Sequence, residues 1–391
     1  MADVPDMSSS SLTARVIMLN SRLRGGGTDA QCLALAQGLA AQGWEVATAG
    51  PEGALLSDEA PDLRPLPRFR PLQGLVLAGL LRRSRARIVH AHHGDDYWTA
   101  LLASRLVQPR PLVVFSRHLA KSPRAPLSRQ HLFAQADAVI AVSSFVAQVL
   151  REGYRDPASP IAERHHRPAC RIDPRRLHII HTGIDTEKFR PRERAFADSA
   201  RSALGLRPGE TAFGVVGGFD LPVGKGQRVF VRAAREVVRR LPKSKFLLAG
   251  TGTLAAALEE DIRHHGLEDR VRLIGQQSDP VALHHALDIL VHPQIATEAF
   301  PSVVLEAHAC GRPVIASRLD GIPEAWAIGG LGHLVPPGDA VELAATMIGQ
   351  AEHAAPSEPE RAAAHARVEA EASLPVQARR VADLYRRLMA R

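Results

Sequence analysis

The feature that most constrains this chain is a pattern written twice: short, continuously apolar segments alternating with helix-length stretches. In the first half, ARVIMLN (14–20), WEVATAG, ARIVHAH, PLVVFS, DAVIAVS and LHIIHTG read as strands, and AQCLALAQGLAAQ, WTALLASRL and SSFVAQVLREG as helices between them. Strands without a polar face are buried on both sides, as in a parallel sheet covered by helices. The pattern restarts at AFGVVGG (212–218) and continues through KFLLAG, VRLIG, DILVHP, RPVIAS and GGLGHLVP. At 391 residues the chain also exceeds one comfortable core. The expectation is an α/β protein of two doubly wound, Rossmann-like domains facing across a cleft, residues 1–190 and 191–372, with a hinge near Asp185 to Arg194. A last amphipathic helix, 373–391, is expected to pack back over the hinge onto the first domain. Ligands of such sheets bind beyond the carboxyl ends of the strands, so chemistry belongs in the cleft.

Composition narrows the function classes. Cys32, Cys170 and Cys310 are odd in number, far apart and without ligand spacing, which points to a reducing, cytoplasmic compartment. The polar N-terminus MADVPDMSSSS is unlike a secretory signal, and the longest apolar run, Leu72 to Leu81, is too short to span a bilayer. The net charge of +8 lies in the first half of the chain. No zinc spacing or aromatic RNA-binding motif supports nucleic acid as the acidic partner. A phosphorylated acceptor or an anionic membrane surface fits as well. GLVLAGLLRRSRAR, Gly74 to Arg87, reads either as a helix lying on lipid headgroups or as a core-facing helix with a solvated basic end. Tyr154 to Arg176, with Arg164, His165, His166 and Arg167, interrupts the strand order and reads as a surface insertion.

Three stretches carry candidate chemistry. GGGTDA follows the first strand and opens the first helix; Gly25, Gly27 and Ala30 formally match a dinucleotide fingerprint, but no acidic residue follows the second strand until Glu52. The loop lets a ligand approach its backbone N–H groups closely. VVGGFDLPVGKGQ sets Lys225 between glycines before a helix, where it can reach a pyrophosphate as a mobile charge. TEAFPSVVLE places Glu298 before a helix and Glu306 inside it, with Pro301 suited to the first helical position. Helix N-termini favour anions, so a carboxylate beside one implies a ligand with a hydroxyl-rich or cationic part as well. Among the histidines, His118 follows a strand and should project into the cleft. His90 and His92 share one strand face but lack a third metal ligand, and the doublets 165/166, 264/265 and 284/285 read as solvated.

Taken together, these stretches resemble retaining glycosyltransferases of the GT-B fold, in the large group called family 4. Glu298 and Glu306 match the family's E-x7-E motif. GGGTDAQCLALAQGLAAQGWEV resembles its N-terminal glycine loop and helix, VSSF a strand end, IHTGIDTEKF its hinge signature, and LLAGTG, ACGRPVIAS and GIPE the C-domain segments around the motif. The resemblance implies a nucleotide-diphosphate-sugar donor, a glycan or lipid-linked acceptor, and no metal or other cofactor. Glu298 would serve the reacting sugar and His118 would contact it near the leaving group, the two catalytic candidates. Glu306 would hold the ribose hydroxyls. Phe300, Pro301 and Ser302 would contact sugar and diphosphate, Lys225 would neutralise the diphosphate, and Gly26 and Gly27 would cover it. HHGDDYWTALLASRL and VVFSRH resemble stretches of lipopolysaccharide-type transferases, which suggests a cell-envelope acceptor. The chain departs from the pattern at Gly218, where the family carries an arginine, at Thr182 and at Ala299; Arg228, or another basic residue folded in from elsewhere, is expected to replace the missing cation. The alternatives are a non-catalytic nucleotide-sugar binder, an epimerase or sucrose- or glycogen-type synthase of the same fold, and a dehydrogenase, which gives Glu298, Glu306 and Lys225 no task.

Overall fold

The computed structural model describes residues 15–391 apart from 52, 53, 55, 57, 61, 68 and 157–165; the N-terminal acidic stretch, Glu52, Arg164 and His165 lie outside the described residues. The apolar segments form two parallel sheets. The first comprises β1 (Arg15–Leu19), β2 (Glu45–Gly50), β3 (Leu63–Pro65), β4 (Ile88–Ala91), β5 (Leu112–Arg117), β6 (Ala138–Ala141) and, after a short antiparallel hairpin of β7 (Tyr154–Arg155) and β8 (His166–Arg167), β9 (Leu177–Ile179), in the order β3-β2-β1-β4-β5-β6-β9. The second comprises β10 (Thr211–Val216), β11 (Ser244–Ala249), β12 (Val271–Gly275), β13 (Ile289–His292), β14 (Val314–Ser317) and β15 (Gly332–Val335), in the order β12-β11-β10-β13-β14-β15. Strand order reverses at β1/β4 and at β10/β13, and a crevice opens at each reversal. Every residue of β4, β6, β13 and β14 is buried, the structural counterpart of their predominantly apolar sequence.

Helices cover both faces. In the first half these are α1 (Gly27–Ala40), α2 (Arg70–Ser84), α3 (Asp96–Arg105) and α4 (Ser144–Glu152). In the second they are α5 (Arg194–Ala203), α6 (Gln227–Arg240), α7 (Ala255–His264), α8 (Pro280–Ala286), α9 (Ser302–Ala309), α10 (Ile322–Gly329), α11 (Ala340–Glu352) and α12 (Glu358–Ala372). A last helix, α13 (Leu374–Met389), packs against α1 of the first domain, while α12 packs on α9 and α10 of the second. The chain thus crosses between domains twice, and the crossings are laced together: Ile184 N–H donates to Ala372 O and Leu374 N–H to Ile184 O, each at 2.9 Å. Gly183 permits this approach, because a Cβ there would lie 2.5 Å from Ser373 O.

Two sequence expectations change. The 154–176 stretch is not merely surface: Arg167 in β8 is 1% exposed. Its guanidinium can be buried because a carboxylate and a carbonyl meet it, as described below. Helix α2 is only partly core-facing. Leu77, Ala78 and Leu81 enter the core, while Leu72 and Leu75 stay exposed together with Phe69, Leu102 and Leu106.

Candidate active site

The first half of the site is built at the ends of β1, β4 and β5. The glycine loop is held from beneath by Asp29, which accepts from Asn20 Nδ2 (3.0 Å), Arg24 N–H (2.8 Å) and His93 Nε2 (2.6 Å). Burial pushes this carboxyl up, but the hydrogen bonds from His93, Asn20 and Arg24 outweigh burial and bring it down to about 2. Gly26 caps α1 in extended conformation, and Cβ atoms added at Gly26 or Gly27 would meet nothing within 4 Å. The loop's outer face is therefore open to a ligand. His118, half-buried just after β5, stacks on His92 with ring centroids 5.3 Å apart, and its Nε2 lies 3.1 Å from His92 Nδ1. Burial, reinforced by His93 and Arg117, lowers His118 to about 3, so the ring is neutral at physiological pH. His90 belongs to the core: its nitrogens meet Tyr385 Oη at 2.6 Å and Ser116 Oγ at 2.8 Å.

The second half lies at the ends of β10, β13 and β14. Gly224 and Gly226 flank Lys225 with φ of 57° and 84°, and Lys225 Nζ forms an ion pair with Glu298 Oε2 at 2.5 Å. Glu298 Oε1 accepts from the Ala299 N–H (3.1 Å), and His292 Nε2 stands 3.9 Å from Oε2. Burial would raise the Glu298 carboxyl; Lys225, His292 and these hydrogen bonds overcome it, and the net shift is downward. Helix α9 begins at Ser302. Pro301 is its N-cap residue (φ −77°, ψ 113°) rather than its first helical residue, and no side chain caps this end. Uncapped N–H groups there suit an anion. Phe300 is buried, its ring stacked on His181 with centroids 4.7 Å apart. Ser302 is half-buried on the first turn.

Glu306, one turn inside α9, pairs with His284 Nε2 at 3.3 Å. This corrects the solvated reading of the 284/285 doublet: both rings are buried, because the short helix α8 ends against polar partners, Glu306 for His284 and the Arg190 carbonyl for His285 (3.1 Å). His264, at the end of α7, is exposed as its sequence suggested. Arg228, the candidate substitute for a cation at Gly218, is instead gripped by Asp261 through two hydrogen bonds of 2.6 and 2.8 Å on the face of α6. Gly218 itself has room: its φ lies outside the left-handed region, and an added Cβ would make ordinary contact, 3.5 Å, with Thr251 O. Gly218→Arg is therefore expected to fold normally and to lower the KM for a diphosphate-linked donor by ~3–10-fold, the worth of one added partly solvated charge. Unchanged KM in donor titrations would mean the loop does not face the diphosphate.

The two halves touch. Ser143 Oγ, after β6, donates to Ala299 O at 2.8 Å. Glu324 accepts from the Ser144 N–H and Oγ and meets His181 Nε2 at 2.7 Å. VSSF, IHTGID and GIPE, separate in sequence, thus converge at the domain junction. Sequence reasoning did not single out His292, Asp29 or Asp320, although Asp29 lies inside GGGTDA, His292 lies in the strand segment DILVHP and Asp320 directly precedes GIPE. Among the described residues, no group of three or more His, Cys, Asp or Glu side chains is placed to hold a metal ion.

Comparison with known proteins agrees with this geometry. The family model for glycosyl transferases group 1 matches residues 210–352 and that for glycosyltransferase family 4 matches residues 25–163. A D-inositol 3-phosphate glycosyltransferase of Mycobacterium marinum is 32% identical over 301 residues, 70% of this chain and 58% of the relative. The chain thus spans under two-thirds of the length of that curated relative. A glycosyltransferase from Rickettsia africae superposes with a TM-score of 0.82 at 19% identity, covering 97% of this chain and 99% of the other. Anabaena HepE, solved with UDP and glucose, superposes at 0.74 and 19% identity, covering 95% and 99%. Two facing parallel sheets, a glycine loop on one and the paired glutamates on the other, with both family models in their expected halves, show that the chain belongs to the family 4, group 1 glycosyltransferases of GT-B fold.

Proposed function

We propose that this protein transfers a sugar from a nucleotide-diphosphate donor to a hydroxyl of an anionic acceptor, with retention at the anomeric carbon and without a metal. The observation that carries this reading is the Lys225–Glu298 pair at the uncapped start of α9. A diphosphate bound there draws Lys225 Nζ toward its oxygens, and the helix N-terminus and the Gly26 and Gly27 N–H groups add stabilisation as negative charge grows on the leaving group. Glu298, ionised and released from its lysine, then faces the anomeric carbon as it becomes oxocarbenium-like. Neutral His118 offers a hydrogen bond to the donor sugar near the leaving oxygen. Glu306 accepts from the ribose hydroxyls, with His284 fixing one carboxylate oxygen. HepE, named with UDP and glucose, supports a UDP-sugar as the first donor to try. The basic first half supports an acceptor bearing phosphate. A lipopolysaccharide core or other envelope glycan is the class suggested by sequence, and a phosphorylated cyclitol the class in the name of the M. marinum relative.

The decisive experiment offers UDP-, GDP- and ADP-sugars and follows thermal stabilisation, slow donor hydrolysis and, with phosphorylated acceptors, product configuration by NMR. Stabilisation by NAD(H) alone, or an inverted product, overturns the reading. Binding without turnover favours a nucleotide-sugar-binding protein, the alternative that Gly218 suggests. The pH profile follows from the site: Glu298 lies below its usual value and His118 near 3, so neither changes charge between pH 5 and 8. kcat/KM, which reports the free protein, should therefore fall on the acid side only below the ordinary glutamate range.

The same reading places the protein in the cytoplasm, where its three buried free cysteines remain reduced, at the inner membrane face. No helix among the described residues is long and apolar enough to cross a membrane. The exposed Phe69, Leu72, Leu75, Leu102 and Leu106 lie beside exposed Arg82, Arg83 and Arg105, a combination suited to anionic lipid. Co-sedimentation with phosphatidylglycerol vesicles should exceed that with phosphatidylcholine, weaken with salt, and drop several-fold in Leu75→Glu. Equal recovery with both lipids would remove the membrane from the proposal.

A further inference from the structure

We propose that Arg167 is a positioning residue that holds the His118 loop and the Glu298 main chain in a single register across the domain junction. Its guanidinium is fully buried and divides its donors between the domains. Nη1 donates to Ala120 O at 2.6 Å, two residues after His118 in the first domain. Nη2 reaches Asp320 Oδ1 and Oδ2 at 3.3 and 3.2 Å in the second. Asp320 Oδ2 also accepts from the Glu298 N–H at 3.2 Å, and the neighbouring Gly321 N–H donates to Glu298 O at 3.2 Å. One unbroken chain of bonds thus runs from the His118 loop through Arg167 and Asp320 to Glu298. The fork is fixed in place by Tyr154 and Phe145, whose ring centroids lie 4.9 and 5.5 Å from Cζ.

Two features argue that this chain of bonds has a task beyond stability. A buried ion pair is weak as a source of stability, because desolvation offsets attraction, and its best-attested use is to fix one arrangement. Asp320 has φ of 50°, a conformation suited to glycine and tolerated by aspartate. A carboxylate with two partners explains why a side chain occupies that turn. Arg167 comes from the β7–β8 hairpin, which also grips the His118 loop where Ser122 Oγ donates to Pro168 O. The hairpin is therefore the element that sets His118 against Glu298.

The inference rests on the proposed transferase reading for what Glu298 does, so its test has one kinetic and one non-kinetic arm. Arg167→Met, Arg167→Lys and Asp320→Gly are compared. The last relaxes the backbone at φ 50° but strands the buried guanidinium, so each variant is compared per folded molecule, and lysine keeps the charge but not the fork. Expected are a kcat lowered by ~10–100-fold in Arg167→Met and Asp320→Gly, a donor KM within about 3-fold, a smaller loss in Arg167→Lys, and a double variant no worse than either single one. Hydrogen exchange should quicken at 119–121 and 298–300 together, with the β10–β11 core unchanged. A role in stability alone would lower the thermal midpoint and leave kcat per folded molecule intact. Wild-type kcat, or unaltered exchange at 298–300 in folded Arg167→Met, overturns the inference. If the unaltered protein turns over no nucleotide sugar, the transferase reading fails, and the exchange arm alone decides whether Arg167 links the loops.

Discussion

Glu298→Gln should lower kcat by ~10²–10⁴-fold, about 3–5 kcal/mol of transition-state stabilisation, with donor affinity within a few fold of the unaltered protein. The amide is isosteric and keeps the Ala299 N–H contact, so the loop before α9 stays in place. On the proposed mechanism, what disappears is the negative charge opposite a carbon that becomes cationic only in the transition state. Affinity is spared for a second reason: in the free protein Glu298 competes with a donor for Lys225. Removing the competitor leaves the lysine free for the diphosphate. Single-turnover measurements separate the outcomes, because an unchanged chemical step would show that Glu298 binds rather than reacts, whereas loss of binding alone would assign it to the ground state.

Lys225→Met should act on both binding and chemistry: kcat/KM for the donor falls by ~10²–10³-fold, as expected for removing one preorganised charge from a growing anion. It should also move the acid limb of the pH profile. Lys225 is the foremost of the influences that hold Glu298 down against burial. Without it, burial prevails, the carboxyl rises, and the variant loses activity at a higher pH than the parent as the solution is acidified. A variant with reduced kcat/KM but an unmoved acid limb would show that Lys225 serves the diphosphate alone.

The double βα pattern made the fold legible, since continuous apolar strands have few other arrangements. E-x7-E, the glycine-flanked lysine and the hinge segment marked the main site candidates because each combines residue types with fixed spacing. Pro301 was misplaced by one position, a distance that capping geometry decides and propensity does not. The His284/His285 doublet misled because polarity was read locally, whereas its partners, Glu306 and the Arg190 carbonyl, come from elsewhere in the chain. Arg167 was hidden in the same way. An arginine amid prolines and histidines resembles a solvated loop until Asp320, 153 residues on, lies against it.

The final helix has a consequence for biosynthesis. One face of the first sheet is closed by Val381, Leu384, Tyr385 and Leu388 of α13 together with Cys32, Leu35 and Leu39 of α1. On a ribosome adding about 5–20 residues per second, residues 191–372 occupy roughly 10–40 s between the two. The first domain to emerge is thus the last to be completed. Until α13 arrives, the nascent chain carries an open apolar face and His90 without its tyrosine partner.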